Sequence, residues 1–159
     1  KTKDILTPRS VVHALPKETT ITEAIKNVRT ANFTRIPVYE GTIDSITGLV
    51  IKTYLYESEI QGQGKLTLSE VATSIWRVSE SLPVLNLLDL FIKRNDHIFI
   101  VEDHFGQTAG VVSLEDAIET FLGREIVDES DQVEDLQKLA KDTYRQRLKN
   151  KFNKKNDKI

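Results

Sequence analysis

The chain has 159 residues, 39% of them hydrophobic and 29% charged, with a formal net charge of −2. That balance fits an ordinary globular fold of one domain, or two small halves sharing a core, and excludes a disordered chain. There is no cysteine, which removes disulfides, iron–sulfur clusters, thiolate zinc sites and a cysteine nucleophile together and fits the cytosol. No run nears the ~18 consecutive apolar residues of a spanning helix; the longest, Leu82 to Ile92, is broken by Asn86 and Asp89. The sequence begins at Lys1, holds no methionine and shows no charged-then-apolar leader, so it reads as a piece of a longer protein.

In chain order, Val11 to Leu15 is a short β-rich run, and Thr20-Ile21-Thr22-Glu23 matches the capping box that opens a helix. Ile21, Ala24, Ile25, Val28 and Ala31 follow at helical spacing, which predicts one buried face. Ile36 to Tyr39 and Gly48 to Ile51 read as strands joined by a polar turn around Gly41, Asp44 and Ser45. A helix from about Lys52 to Glu59 closes this unit, and Gln61-Gly62-Gln63-Gly64-Lys65 supplies a joint. Then the pattern returns. Trp76 to Val78 is a strand, Pro83 enters a helix, Ile98 to Val101 and Gly110 to Val112 are strands, and a helix follows Ser113.

The chain thus holds one unit written twice. Ile36-Pro37-Val38-Tyr39-Glu40 falls on Ile98-Phe99-Ile100-Val101-Glu102 at an offset of 62, as Gly48 falls on Gly110, while Leu15 on Val78 and Val28 on Phe91 run at 63. One residue is therefore expected to be missing before the second copy's middle strand. The expected fold is mixed α/β (α+β): two β-α-β-β-α repeats packed sheet against sheet with pseudo-twofold symmetry, plus a C-terminal helix. A half of about 60 residues buries too little apolar surface to stand alone, so pairing of the halves is expected. The boundaries are residues 3–60, a linker at 61–65, residues 66–124, and a tail at 125–159. That tail opens with six acids (Glu125, Asp128, Glu129, Asp131, Glu134 and Asp135). It continues as a helix from about Val133 to Leu148 and ends in a basic run through Lys158.

Ser113-Leu114-Glu115-Asp116 can be read in two ways. A serine followed three residues later by an acid is a helix N-cap pattern. Alternatively, Gly110-Val111-Val112 delivers the chain from a strand into a helix start, where unpaired amides and the macrodipole favour an anion. Ser113 could then donate to a phosphate, and Asp116, an acceptor when ionised, suits the hydroxyls of a ribose. Arg35 has a forked set of donors suited to phosphate oxygens, or is a solvated loop arginine. The residues aligned with Ser113 and Asp116 in the first copy are Ile51 and Tyr54, which lack both groups. His13, His97 and His104 share no recurring ligand spacing, which argues against zinc. The acidic stretch lacks the central glycine of an EF-hand loop and reads as a solvated face.

The repeated glycine-apolar-apolar-Ser/Thr-x-x-Asp ending resembles the CBS domain, which occurs as tandem pairs called Bateman modules. More narrowly, Leu6-Thr7-Pro8-Arg9, Phe33-Thr34-Arg35-Ile36-Pro37-Val38-Tyr39-Glu40, Thr108-Ala109-Gly110 and Ser113-Leu114-Glu115-Asp116-Ala117-Ile118-Glu119 resemble the pair of the CorC/cyclin-M family. That family is hemolysin-like and implicated in magnesium and cobalt efflux. The resemblance covers about residues 3 to 131. It implies an adenine nucleotide, ATP with magnesium or AMP, in the cleft between repeats. Thr7 and Arg35 would approach the phosphates, Ser113 and Asp116 would hold phosphate and ribose, and Ile36 and Pro37 would lie on the strand lining the adenine pocket. It further implies a homodimer formed through the helices after each final strand. The whole would be a cytoplasmic regulatory domain following a transmembrane domain of an inner-membrane protein, with no catalysis and no nucleic acid. A nucleotide-free dimerisation scaffold and a module attached to a metabolic enzyme are the competing readings.

Overall fold

The computed structural model describes residues 1–128 and 144–150, with side chains through Gly123 and from Tyr144 to Asn150. Residues 1–117 form one compact unit and residues 118–159 another. The expected C-terminal helix lies outside the described residues over 133–143, and residues 144–150 are helical and exposed. The acidic stretch beyond Asp128 and the basic tail beyond Asn150 also lie outside them.

Two small sheets are present. One has the order β2–β3–β4, formed by Leu15–Pro16, Arg35–Tyr39 and Ile46–Ile51. The other has the order β1–β7–β6–β5, formed by Thr7–Pro8, Thr108–Ser113, Ile98–Glu102 and Arg77–Ser79. In each, the first strand of the repeat runs parallel to the central one and the last runs antiparallel. The helices α1 (Ile21–Lys26), α2 (Lys52–Ile60), α3 (Leu68–Val71), α4 (Val84–Arg94) and α5 (Leu114–Asp128) accompany them. The expected β-α-β-β-α order is therefore found twice.

The central strands carry the same burial pattern, three buried residues between two half-buried ones. In β3, Ile36 and Val38 join a core with Ile21, Ala24, Leu55 and Leu68. In β6, Phe99 and Val101 join a second core with Leu87, Phe91, Val112 and Ala117, where Phe91 stacks on Phe99 at 4.1 Å and 13°. Pro37 and Ile100 alternate with those residues, face the other way, and are buried as well. Burial on both faces is what a strand needs inside a layered packing, and it explains why these runs are continuously apolar.

This register corrects the sequence alignment. Leu15 pairs with Val38 and Val78 with Val101; Ile36 pairs with Val50 and Phe99 with Val112. Ile36 is thus the counterpart of Phe99, not Ile98, and Tyr39 that of Glu102. The offset stays at 63 through the central strand, and the missing residue falls after it. The first turn, Glu40 to Ser45, has six residues and closes through Glu40 N–H to the Ser45 carbonyl at 2.9 Å. The second, Asp103 to Gln107, has five and closes through Asp103 N–H to the Gln107 carbonyl at 2.9 Å.

Other boundaries move for local reasons. The β-rich run at Val11–Leu15 shrinks to β2 at Leu15–Pro16, with Val11 exposed, and the strand expected at Trp76–Val78 is Arg77–Ser79. Thr20 and Glu23 form the expected capping box. The helix they open stops at Lys26 instead of running to Ala31. Asn27 turns extended at φ −68, ψ 117, and its side-chain oxygen accepts from Arg29 N–H at 3.0 Å, a local bond that competes with helix continuation. Val28 consequently leaves the buried face and is 83% exposed. The short α3 was not expected, although Thr67-Leu68-Ser69-Glu70 carries the same capping-box signature that revealed α1.

Two segments cross between the halves. β1, which precedes β2 of the first repeat, pairs with β7 of the second, Thr7 opposite Val111 and Pro8 opposite Gly110. Thr73, which precedes β5 of the second repeat, bridges Leu49 of the first. This explains the repeated glycine: a Cβ on Gly110 would collide with the Thr7 carbonyl, and one on Gly48 would lie 2.9 Å from the Thr73 carbonyl oxygen. Only glycine lets the crossing backbone approach this closely.

Candidate functional site

The strand-to-helix junction at the end of β7 realises the cap. Ser113 Oγ accepts from Asp116 N–H at 3.1 Å, which satisfies one of the first free amides of α5. Both residues remain half-buried rather than sealed. Asp116 also engages a partner of its own within the protein. The hydroxyl of Ser113 can still donate while its oxygen accepts, so the cap and a phosphate contact are compatible.

The corresponding junction in the first repeat is different. Ile51 stands at the N-cap of α2 with no side-chain bond to the helix, and Ile51 and Tyr54 are 38% and 47% exposed. The asymmetry extends to the strands. Arg35 pairs in register with Ile51 at the open end of β3–β4, and Ile98 with Ser113 at the equivalent end of β6–β7. Each repeat therefore carries a polar group at one of the two positions: arginine at the strand entry of the first, serine at the strand exit of the second.

Arg35 is half-buried, and its side chain makes no hydrogen bond or ion pair with another of the described residues. Lys52, which follows the ladder partner of Arg35, Ile51, is already committed, its Nζ donating to the Ala31 carbonyl at 2.9 Å. A guanidinium with its donors unspent is the group a phosphate would recruit. Thr7 is half-buried on β1, beside β7 and two residues along it from Ser113.

Ile36 and Pro37 separate. Ile36 has no exposure and its side chain belongs to the core under β3, so only its backbone is left to line a site. Pro37 points to the opposite face. Ahead of Arg35, His13 is buried, its Nε2 3.1 Å from Thr30 Oγ1 and its ring stacked on Phe33 at 5.3 Å and 26°. Burial, then the charge of Arg29, hold the His13 imidazole below its ordinary value and favour the neutral ring. This histidine is buried with its ring nitrogen satisfied, as a structural residue would be. His104 lies at 3.5 Å from Glu80 on the surface.

Residues that sequence reading missed are Arg9 and Asp44. Arg9 Nη1 donates to Asp44 Oδ1 at 2.7 Å and to the Thr108 carbonyl at 3.1 Å, while Asp44 Oδ1 accepts from Thr108 N–H at 3.1 Å. No sequence signal links partners 35 and 64 residues apart.

Residues 68–123 match the CBS domain family. A UPF0053 protein of Synechocystis is 36% identical over 138 residues, covering 87% of this chain and 40% of that protein. Hemolysin C of Brachyspira hyodysenteriae is 32% identical over 132 residues, covering 82% and 48%. The chain thus spans two fifths to just under half of these relatives. The solved CBS domain of the bacterial CNNM/CorC family Mg2+ transporter in complex with ATP is 32% identical. It superposes with a TM-score of 0.71 over 76% of this chain and 86% of that one.

Proposed function

The chain belongs to the CBS domains of the CNNM/CorC family, and from that premise we propose that it binds an adenine nucleotide, ATP or AMP, between its repeats and thereby regulates a membrane transporter. The observation that carries this reading is the likeness to a CBS domain solved with ATP, over 76% of this chain and 86% of that domain. The asymmetry of the repeats supports where the ligand sits. Arg35 and Thr7 approach the phosphates, Ser113 donates to them, Asp116 accepts from the ribose, and Pro37 with the backbone of Ile36 borders the base. Magnesium arrives with ATP, on its phosphates.

The role is regulatory. The module is the cytoplasmic part of a transporter whose membrane domain lies outside this chain, and the nucleotide biases one arrangement of a homodimer through the helices after β4 and β7. A ligand shifts such an equilibrium only by its difference in affinity for the two states, and coupling of this kind is typically about 1–3 kcal/mol. The ion moved is magnesium or cobalt, outward.

Calorimetric titration of ATP and AMP, with and without magnesium, tests the reading. Wild type should give heat, and Asp116→Ala should weaken binding roughly tenfold to a hundredfold, the cost of losing hydrogen bonds to a charged group. The cap survives this change, because Ser113 accepts from the backbone of residue 116. Absence of heat with every adenine nucleotide would favour the empty dimerisation scaffold instead.

A further inference from the structure

We propose that Asp44, in the β3–β4 turn of the first repeat, is a positioning residue for the site in the second: with Arg9 it anchors β1 on β7 and so holds Thr7 in place. The part of this that concerns ligand affinity rests on the nucleotide reading above.

β1 is only two residues long, and Pro8 has no N–H to give to the ladder. Such a strand needs an anchor. It has one at its Arg9 end, where Arg9 N–H donates to the Ala109 carbonyl at 2.9 Å and the side chain donates to the Thr108 carbonyl. Asp44 completes the clasp by accepting from both Arg9 and Thr108 N–H, so three chain segments from both repeats meet on one carboxylate. The Arg9 bond and the Thr108 N–H also hold the Asp44 carboxyl below its ordinary value, as the charged form is the one being used.

The two turns use their acids differently. The second repeat's shorter turn folds its acid back on itself: Asp103 Oδ1 accepts from Phe105 N–H at 2.9 Å and Gln107 N–H at 3.0 Å. The first turn, one residue longer, carries Asp44 instead, an acid that reaches across to the other repeat. A related grip operates in the reverse sense. Arg77, held by Glu102 at 2.8 Å, donates to the Ile46 carbonyl at 2.9 Å, and Ile46 is the counterpart of Thr108. Each repeat thus grips the first residue of the other's return strand.

The clasp stands at the start of β7 and Ser113 at its end, five residues on, or about 17 Å at ~3.3 Å per residue. Asp44 therefore acts on the ligand only through β1. Thr7 sits between the two, opposite Val111.

The experiment uses the full chain carrying Asp44→Ala, Arg9→Ala and both together, read by amide exchange and by titration with ATP and with adenosine. Exchange at Arg9 and Thr108 should quicken in every variant while the rest of β7 stays protected. ATP affinity should fall roughly fivefold, with the double variant no worse than the singles, because the pair acts as a unit. Adenosine, which has no phosphate for Thr7 to meet, should bind each variant as it binds wild type. Unchanged exchange at both amides would overturn the anchor, and so would equal loss of ATP and adenosine affinity, which marks general destabilisation. If wild type takes neither ligand, the nucleotide reading fails by itself, and quickened or unchanged exchange still decides for or against the anchor.

Discussion

Val28 and Phe91 occupy aligned positions in the two repeats, yet one is 83% exposed and the other 1%. The second repeat follows its pattern to completion. α4 runs through Arg94, buries Val84, Leu87 and Phe91, carries Lys93 and Arg94 in its last turn, and ends on Asn95 in the left-handed region at φ 56. The first repeat stops its helix after Lys26, leaves α2 without a side-chain cap, and lengthens its turn by a residue. The family match covers residues 68–123, the regular repeat. The lesson is a division of labour. One repeat keeps the regular form and the capped serine, and the other departs from it and supplies Arg35 and Asp44.

That comparison can be broken at paired positions. The largest contrast is expected for Phe91→Ala against Val28→Ala. The first should cost about 3–5 kcal/mol by emptying a stacked core position, and the second should stay within about 0.5 kcal/mol at an exposed one. Urea denaturation of both reads the difference. Equal costs would mean that the helix of the first repeat continues past Lys26 after all.

Next come the crossing glycines. Gly110→Ala forces the Thr7 backbone away and should destabilise by about 2–3 kcal/mol. Gly48→Ala meets the Ala72 Cβ and the Thr73 carbonyl oxygen at 2.9 Å, a less severe approach, and should cost about 1–2 kcal/mol. Denaturant midpoints that rank the two the other way round would contradict the tighter crossing at β1.

The smallest effect concerns the caps. Ser113→Ala should cost about 1 kcal/mol, and Ile51→Ser should return up to about 0.5 kcal/mol to the uncapped α2. Thermal melts of the pair sharpen the contrast between the junctions. A neutral Ser113→Ala would show that the bond to Asp116 N–H contributes nothing.

How far the sequence alone leads depends on which physical signal each feature leaves. The duplicated unit, the capping box at Thr20 and the strands around Gly48 and Gly110 were legible because each leaves a local pattern. The register of β3 against β6 was not. Both are apolar on both faces, so no alternation fixes which residue faces which way, and the glutamates that follow invite an alignment one residue off. Ser113 and Asp116 stood out because a strand runs straight into a helix start there, and Ile51 and Tyr54 at the aligned positions of the first copy set the second copy apart. β1 and the Thr73 bridge were invisible because neither is long enough to show a period. The Arg9–Asp44 clasp was invisible because a turn acid and a lone arginine acquire meaning only when the fold brings them together.

Stoichiometry tests the central claim most directly. In a titration of the full chain with ATP and magnesium, the account predicts one nucleotide per chain, bound where Ser113 and Asp116 stand, with binding weakened by Asp116→Ala and left intact by Tyr54→Phe. Two equivalent nucleotides per chain would contradict it, because Ile51 and Tyr54 would then be serving a ligand as well as serine and aspartate do.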